Sequence, residues 1–252
     1  MKIAVCAKQI PDPANPIEYS NGNVVRPEEQ VLDDTDRYGI EVALQLKEKY
    51  DAEVTVISMT KVGTEKGIQQ ALQMGPDNAL VLEDESLVGS NSLMTSNVLS
   101  ELAKKVNADI VIFGTESTDG YAGVVPQQVS RILNIPCISY VKNIEIDESV
   151  ILTRQTIEGS EKVKLPEKCV ISVTASGVEP RYPNFKDIMA AKNKEIEIIS
   201  IKDIDFNTEQ NMNFVNINNI STSKSGEKVV DEGEAFKVII DKLKEIKAIW
   251  KL

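Results

Sequence analysis

The sequence predicts an α/β fold built on a doubly wound, mainly parallel sheet of the Rossmann-like, adenine-nucleotide-binding type. Three observations support this prediction. Short apolar segments suited to buried strands alternate with longer segments that carry apolar residues at helical spacing. Polar loops with glycine and proline separate these segments. The 252 residues also suffice for one large hydrophobic core without disulfides.

The first part of the chain alternates strands and helices in a regular order. The predicted strands cover residues 2–7, 53–58, 79–82, 109–114 and 135–141. The predicted helices follow the capping residues Asp33–Thr35, run over 63–75 and 91–106, and begin near Pro126. A polar loop precedes the first helix up to about Leu32. This order is typical of parallel strands joined by crossover helices.

The pattern changes after Val141. Segments 143–147, 150–157 and 161–165 are predicted to be short antiparallel strands, with a turn at 147–149 between the first two. Segment 169–174 is predicted to return to the main sheet, and residues 184–194 to form a short helix. We therefore expect a small antiparallel excursion from the parallel sheet.

Two parts of unequal size are predicted. Residues 1–204 form the nucleotide-binding α/β domain, and residues 205–252 form an extended arm with a C-terminal helix. The arm is rich in Asn, Ser and Thr. The helix, predicted over 234–250, carries an apolar stripe made of Phe236, Ile239, Ile240, Leu243, Ile246 and Ile249. Periodicity alone leaves open whether the parent domain or another subunit covers this stripe.

Composition and charge exclude several functions. The net charge of −11 disfavours nucleic acid and anionic membranes as partners. The absence of histidine excludes a Ser-His or Cys-His hydrolase. Cys6, Cys137 and Cys169 lie in apolar segments without a CxxC pair, which predicts buried thiols and no metal site. No apolar run approaches the roughly 20 residues of a membrane span, so we expect a cytoplasmic protein without membrane insertion.

Three loops are expected at the carboxyl ends of strands, where doubly wound sheets bind ligands. They are Cys6–Pro11, Ser58–Thr60 and Gly114–Val125, the last of which we call the glycine loop. Its Gly114, Gly120 and Gly123 allow close approach to a ligand, Ser117 and Thr118 offer hydroxyls, and the helix that follows offers free amides. This pattern favours a nucleotide phosphate. It contains neither GxGxxG nor GxxxxGK[ST], and a loop that only caps the helix has a similar composition.

Residues 179–192 form a second candidate site. Arg181 lies between two prolines, and Phe185 follows beside lysines. A stiff loop that presents an aromatic residue among charges is typical of a docking surface. The residues alone also allow a helix start in which Phe185, Ile188 and Met189 face the core.

Several stretches resemble the β-subunit family of electron transfer flavoproteins. They are VCAKQIPD, DDTDRYGIEVALQLKEK, ALQMGPDNA, ADIVIFGTESTDGYAG and EPRYPNFKDIMAAKNKEI. The resemblance runs from residue 2 to about 200, and the arm and last helix also fit. It implies a heterodimer whose α subunit carries FAD. The complex would shuttle electrons between a flavin-containing dehydrogenase, of the acyl-CoA type or similar, and another redox carrier such as ferredoxin. Neither the identity of the dehydrogenase nor the direction of electron flow follows from it.

The resemblance also implies roles for individual residues. The adenine-nucleotide site would comprise Cys6, Ala7, Asp33, Asp36, Met59, Gly114, Thr115, Glu116, Ser117, Thr118, Asp119, Gly120, Ala122, Gly123, Val124 and Val125. Docking to the dehydrogenase would use a recognition loop at 181–190, through Arg181, Tyr182, Phe185, Ile188 and Met189. The arm and C-terminal helix would pack on the α subunit. No catalytic residue and no metal ligand is implied, because the flavin carries the electrons.

The occupant of the nucleotide site differs among members of the family. It is AMP in many and FAD in those that bifurcate electrons with NADH. The segment DGYAGVVP differs from the DGDTAQVGP of bifurcating members and from the acidic, Asn/Gln-containing loop of AMP-binding members, and Asp33 stands where Asn is frequent. The small Ala122 and Gly123 favour FAD, with AMP as the alternative. The chain would be part of an oxidoreductase complex linked to NADH and ferredoxin only if that complex bifurcates electrons. Otherwise it would be a subunit of an electron carrier.

A different class of function also fits part of the sequence. A stand-alone regulatory protein that binds ATP or AMP on a similar fold would explain the glycine loop. It would not explain the docking segment or the arm.

Overall fold

The computed structural model describes residues 1–16, 18–20, 23–27, 29–63, 65–175, 177–204, 228–231, 233–246 and 248. The chain divides into two compact units, Met1–Ile217 and Asn218–Leu252. The predicted boundary after residue 204 stays a prediction, because residues 205–227 lie outside the described residues.

The elements follow one another in this order. The strands are β1 Lys2–Cys6, β2 Gln9–Ile10, β3 Tyr19–Ser20, β4 Asn23–Val24, β5 Val31–Leu32, β6 Glu53–Thr60, β7 Asn78–Glu83, β8 Ile110–Gly114, β9 Cys137–Ile146, β10 Val150–Thr156, β11 Gly159–Lys164, β12 Cys169–Val173 and β13 Ile196–Ile199. The helices are α1 Asp34–Tyr50, α2 Lys66–Met74, α3 Ser92–Lys105, α4 Val125–Leu133, α5 Phe185–Ala191 and α6 Ala235–Glu245.

Within the described residues, nine strands form one sheet in the order β11-β10-β9-β12-β8-β1-β6-β7-β13. Neighbours from β9 to β13 are parallel, and β10 and β11 are antiparallel at one edge. The chain leaves the central β1 for β6 and β7 on one side and later adds β8 and β12 on the other. The strand order therefore reverses beside β1, which is where doubly wound sheets bind ligands. The predicted fold class is confirmed.

Both faces of the sheet are covered by helices. Helices α1 and α2 contribute to one apolar core, and α3 and α4 contribute to the other. Side chains alternate between these cores along β1, where Ile3 and Val5 face α1 and Ala4 and Cys6 face the opposite core. Burial on both faces explains why the central strands are continuous apolar runs in the sequence.

Strand β9 combines two segments that the sequence analysis separated. Its first part pairs with β12 and its later part with β10. Tyr140 has a φ of 60°, and its N–H donates to the hydroxyl of Ser172 at 3.0 Å. Register shifts accompany this point, so the strand bends between its two partners without ending.

Several short elements were not predicted. Strand β13 pairs with β7 at the edge of the sheet. Strands β3 and β4 pair with each other, and β2 pairs with β5, within the stretch predicted to be a polar loop. Helix α2 begins at Lys66 and not at Gly63, whose φ is 83°, although Gly75 ends it as predicted. Strands of two to four residues carry too few side chains for a periodic pattern to reveal them.

The C-terminal unit contains α6, which lies inside the predicted helix. Asp231 accepts from the backbone N–H groups of Gly233 and Ala235 at its start. Phe236, Ile239 and Ile246 are exposed. Ile249 and the arm at 205–227 lie outside the described residues. No helix in the described part of the chain is long and apolar enough to cross a membrane.

Candidate functional site

A cavity of about 430 Å³ opens at the carboxyl ends of β1, β6 and β8. Its volume is in the range of small-molecule sites. Most residues that the sequence analysis assigned to a nucleotide line this cavity, namely Cys6, Ala7, Asp36, Met59, Gly114, Thr115, Glu116, Ser117, Asp119, Gly120, Ala122, Gly123 and Val125. Asp33, Thr118 and Val124 are not among the lining residues.

Asp33 fixes the glycine loop to the start of α1. It is fully buried, and one carboxylate oxygen accepts from the N–H and hydroxyl of Thr35 at 3.0 and 2.9 Å. The other oxygen accepts from the N–H and hydroxyl of Thr118 at 2.7 and 3.1 Å. Four donors surround this carboxylate, so Asp33 holds the wall of the cavity in place and does not face its interior.

Asp36 joins the ends of β1 and β8. It is buried and accepts from the N–H of Lys8 at 2.7 Å and from the N–H of Gly114. A Cβ at position 114 would lie 2.9 Å from the Asp36 carboxylate, so only glycine fits there. Burial, and secondarily the charge of Asp33, raise the pKa of Asp36 to about 8, although both backbone donors oppose the shift.

The raised pKa of Asp36 predicts a pH-dependent stability. Because the folded-state pKa lies above the unfolded value of about 3.9, the protonated form stabilises the fold. The free energy of unfolding should therefore fall as the pH rises from about 4 to about 8, by an amount on the order of 5 kcal/mol. We expect Asp36→Asn to remove most of this slope, which urea denaturation at pH 5 and pH 8 would measure. The chain has no histidine that would titrate in this window, so equal slopes in the two proteins would contradict the assignment.

The glycine loop ends at the first turn of α4. Gly123 has a φ of 62°, and Val124 and Val125 lead into the helix with Pro126 in its first turn. A Cβ at position 123 would lie 3.4 Å from a carboxylate oxygen of Glu116. The free backbone amides of such a helix start attract anions. This end of the loop is therefore suited to a phosphate group.

A polar cluster at the other end of the loop combines Asp119, which the sequence analysis assigned to the site, with side chains that it did not assign individually. Asp119 accepts from the ammonium group of Lys8 at 2.6 Å and forms an ion pair with the guanidinium of Arg26. Burial raises the pKa of Asp119, but these two cations outweigh it and hold that pKa below its usual value. Arg26 also donates to the carbonyl oxygen of Gln9 and to the side chain of Gln30. Lys8, Arg26, Gln9 and Gln30 all line the cavity.

Local sequence offers a signal for only part of this cluster. Lys8 and Gln9 lie in the loop directly after β1, whereas Arg26 and Gln30 belong to a polar stretch without a motif. The pairing of β2 with β5 brings that stretch beside the cavity. Lys61 and residues 87–90 also line the cavity, and the sequence analysis did not assign them to it.

Burial favours the neutral form of all three thiols. Cys6 lines the cavity, but burial, and then the charge of Asp36, raise its pKa well above the ordinary value. Burial likewise raises the pKa of Cys169 to about 12 and that of the half-buried Cys137. Neutral thiols are poor nucleophiles and poor metal ligands.

The recognition loop exposes a group of apolar side chains. Tyr182 is 89% exposed, Phe185 79% and Met189 45%, while Ile188 is half-buried. Asn184 caps α5 in a reciprocal pair of hydrogen bonds with Asp187. The cap fixes Phe185 in the first turn, pointing away from the core, so the alternative in which Phe185 faces the core is wrong.

Arg181 anchors this loop to α1. Its Nε and Nη2 atoms donate to the two carboxylate oxygens of Glu41 at 2.8 and 3.0 Å, its backbone N–H adds a third bond, and Nη1 pairs with Glu48. Glu41 is buried, and burial raises its pKa, but the bonds from Arg181 and Gln45 outweigh that effect and lower it. Arg181 thus bonds the recognition loop to α1. The N-cap residue of the same helix, Asp33, holds the glycine loop.

Comparison with known proteins places the chain in a family. Residues 22–204 match the model of the electron transfer flavoprotein domain. The chain is 33% identical to the electron transfer flavoprotein subunit beta of Mycobacterium bovis, over 96% of this chain and 97% of that protein. The chain belongs to the electron transfer flavoprotein β-subunit family.

Other relatives agree with this membership. The electron transfer flavoprotein subunit beta of Clostridium acetobutylicum is 33% identical, over 81% of this chain and 80% of that protein. CarD, a subunit of the caffeyl-CoA reductase-Etf complex of Acetobacterium woodii, is 32% identical, over 83% and 82%. Membership makes the chain an electron-transfer protein that works in a flavin-containing complex with an α-subunit partner. None of these relatives is named as a stand-alone nucleotide-binding regulator.

Proposed function

We propose that this chain is the β half of an electron transfer flavoprotein and holds an adenine nucleotide in the cavity beside β1. One observation carries the proposal. The cavity lies at the reversal of strand order, and one loop brings close-approach glycines and the free amides of α4 to it. FAD is the proposed occupant and AMP the alternative, because Ala122 and Gly123 keep the wall of the cavity free of large side chains.

The residues of the chain bind and orient the nucleotide. The amides of the glycine loop would hold phosphate, while Cys6, Met59 and Phe113 supply an apolar wall. Asp33 and Asp36 fix the three loops relative to one another. A bound flavin would supply the electron chemistry, and the protein would set its position and its environment. The neutral thiols and the absence of histidine are consistent with this division.

The partners are proposed from the family and from the exposed surface. The α subunit would carry a further FAD and would contact the arm and α6, so that residues 205–252 form a part separate from the α/β domain. A flavin-containing dehydrogenase would dock on the recognition loop, with ferredoxin as a second redox partner. NADH would enter only if the complex bifurcates electrons. We propose that this complex works in the cytoplasm.

Cofactor analysis of the complex purified with its α subunit tests the nucleotide proposal. Two FAD and no AMP per heterodimer would place a flavin in this chain and favour NADH-linked bifurcation. One FAD and one AMP would make the chain a structural and docking subunit of a simple electron carrier. One FAD, carried by the α subunit, without any second nucleotide would contradict the proposed site.

Phe185→Ala tests the docking surface. Removal of the exposed aromatic anchor is expected to lower kcat/KM for electron transfer with the partner dehydrogenase about tenfold, or roughly 1.4 kcal/mol. Stopped-flow kinetics across dehydrogenase concentrations would measure the change. Phe185→Leu keeps an apolar anchor and should lose less than half of that free energy. Unchanged kinetics in Phe185→Ala, with normal flavin content, would contradict the assignment.

A further inference from the structure

Helix α5, which presents Phe185, is held on the domain by few apolar contacts. The structure describes all seven of its residues, and of these only Ala191 is buried. A helix this short is not stable by itself in water, so its position depends on contacts with the rest of the protein. The capping pair of Asn184 and Asp187 lies within the segment and does not fix it on the domain. The direction of α5 therefore depends on the contacts at its two ends.

The chain on either side of α5 is attached to the domain. Before the helix, Arg181 bonds to Glu41 on α1. After it, the carbonyl oxygen of Glu195 accepts from the N–H of Ala79 at 3.0 Å, where the chain enters β13. Pairing with β7 fixes the position of the chain at that point. A single covalent connection to a fixed strand still leaves the direction of the preceding helix open, so a side-chain contact is needed to set it.

Lys194 makes such a contact from the turn between α5 and β13. Its ammonium group donates to the carbonyl oxygen of Leu72, in the last turn of α2, at 3.0 Å. The last carbonyl groups of a helix carry partial negative charge and attract cations. Helix α2 has no basic residue in its own last turn. Lys194 thus caps α2 and bonds the end of α5 to it.

Charges of both signs surround this half-buried lysine. Lys47 of α1 lies at the same end of α2 and pairs with Asp77. Burial, and then the charge of Lys47, lower the pKa of Lys194, although the carboxylates of Asp77 and Asp187 oppose the shift. An ammonium group that loses hydration needs hydrogen bonds in compensation. The bond to Leu72 therefore gives the Lys194 side chain a defined position.

We propose that Lys194 is a positioning residue for electron transfer, which fixes the direction of α5 and so the place at which Phe185 meets the dehydrogenase. This inference rests on the proposed function of the recognition loop and deepens it. Lys194 acts through α5 and does not itself contact the dehydrogenase. Arg181 and Lys194 would hold the recognition loop between α1 and α2, so that little conformational freedom is lost on docking.

Lys194→Met tests this role, because methionine keeps an unbranched side chain but donates no hydrogen bond. The probe is the acyl-CoA dehydrogenase that exchanges electrons with the wild-type heterodimer. Stopped-flow kinetics across its concentrations would give KM and kcat separately. We expect KM to rise about fivefold and kcat to change by less than about twofold, because docking is impaired and the flavins are not. Lys194→Arg keeps a cationic donor and should hold KM within about twofold of wild type.

Two matched variants distinguish positioning from other causes. Lys47→Met removes the other cation at the end of α2 but leaves the bond of Lys194 in place, so it should lower stability in urea without a change in KM. Lys192→Met removes the same charge from the C-cap of α5, where the lysine side chain is exposed, and should raise KM by less than about twofold. A rise in either variant as large as in Lys194→Met would overturn the proposal.

Hydrogen exchange over residues 185–191 in the free heterodimer gives a readout that needs no dehydrogenase. The amides of α5 should exchange at least about fivefold faster in Lys194→Met than in wild type or Lys47→Met. Wild-type exchange, or a wild-type KM, in Lys194→Met would overturn the role of Lys194. Phe185→Ala decides separately whether the recognition loop docks at all. Wild-type kinetics in Phe185→Ala would remove the docking surface and this inference with it, whereas a loss there beside wild-type kinetics in Lys194→Met would overturn this inference alone.

Discussion

Replacement of Gly123 by aspartate is expected to empty the nucleotide site. The new carboxylate would stand at the start of α4, where the free amides are proposed to hold phosphate, and its Cβ would lie 3.4 Å from the Glu116 carboxylate. Repulsion from both a phosphate and Glu116 should cost about 2 kcal/mol, which corresponds to roughly 30-fold weaker binding. Calorimetric titration of the nucleotide-depleted heterodimer would measure the loss.

Gly123→Asn is the matched control for this variant. Asparagine has nearly the same size and tolerates the positive φ of 62° about as well as aspartate. It carries no charge, so it should retain most of the affinity. Equal losses in the two variants would show that space and backbone conformation, and not charge, decide binding here. Normal occupancy in Gly123→Asp would place the nucleotide elsewhere.

Arg181→Ala is expected to lower both stability and docking. Glu41 would keep a charge in a buried position without its guanidinium partner. A fully buried pair would lose roughly 3–5 kcal/mol in this way, but Arg181 is partly exposed, so we expect about 2 kcal/mol. The recognition loop would also lose its anchor on α1, and kcat/KM with the dehydrogenase should fall at least tenfold. Urea denaturation and stopped-flow kinetics would measure the two effects.

The pH dependence and a double variant distinguish these effects. The pKa of Glu41 is lowered in the fold, so the stabilisation from its pair with Arg181 is present above the unfolded pKa of about 4.3 and is lost as the pH falls through the lower folded-state value. The stability difference between Arg181→Ala and wild type should therefore shrink below pH 4. Glu41→Gln combined with Arg181→Ala should recover stability at pH 7 but not the docking rate. Recovery of both would show that Arg181 has no positioning role.

Much of the fold could be predicted because its signals are local. The apolar run of β1 and the caps Asp33 and Asn91 each depend on a few neighbouring residues. Gly75 ends α2 for the same kind of reason. The division of β9 was wrong because Lys142 and Asn143 interrupt its apolar pattern, while the pairing that continues the strand comes from β10 and β12.

The candidate site likewise contains some residues that local sequence reveals and others that only tertiary contacts bring to the cavity. The glycine loop could be recognised from its composition, whereas Arg26 and Gln30 reach the cavity only because β2 pairs with β5. Composition also could not distinguish Asp33, which holds the wall from behind, from Asp36, which faces the cavity. That distinction depends on the position of Thr118, 85 residues away in the sequence.

By itself, the sequence determined the class of fold, the family and the loop that most resembles a nucleotide site, because periodicity, capping and loop composition are properties of neighbouring residues. Tertiary structure decided which side chains share the cavity, that Phe185 is exposed, and that Arg181 is anchored on Glu41 across 140 residues of sequence. These outcomes depend on long-range packing and on the burial of charge. Both are set by the relative positions of distant segments, which no local pattern specifies.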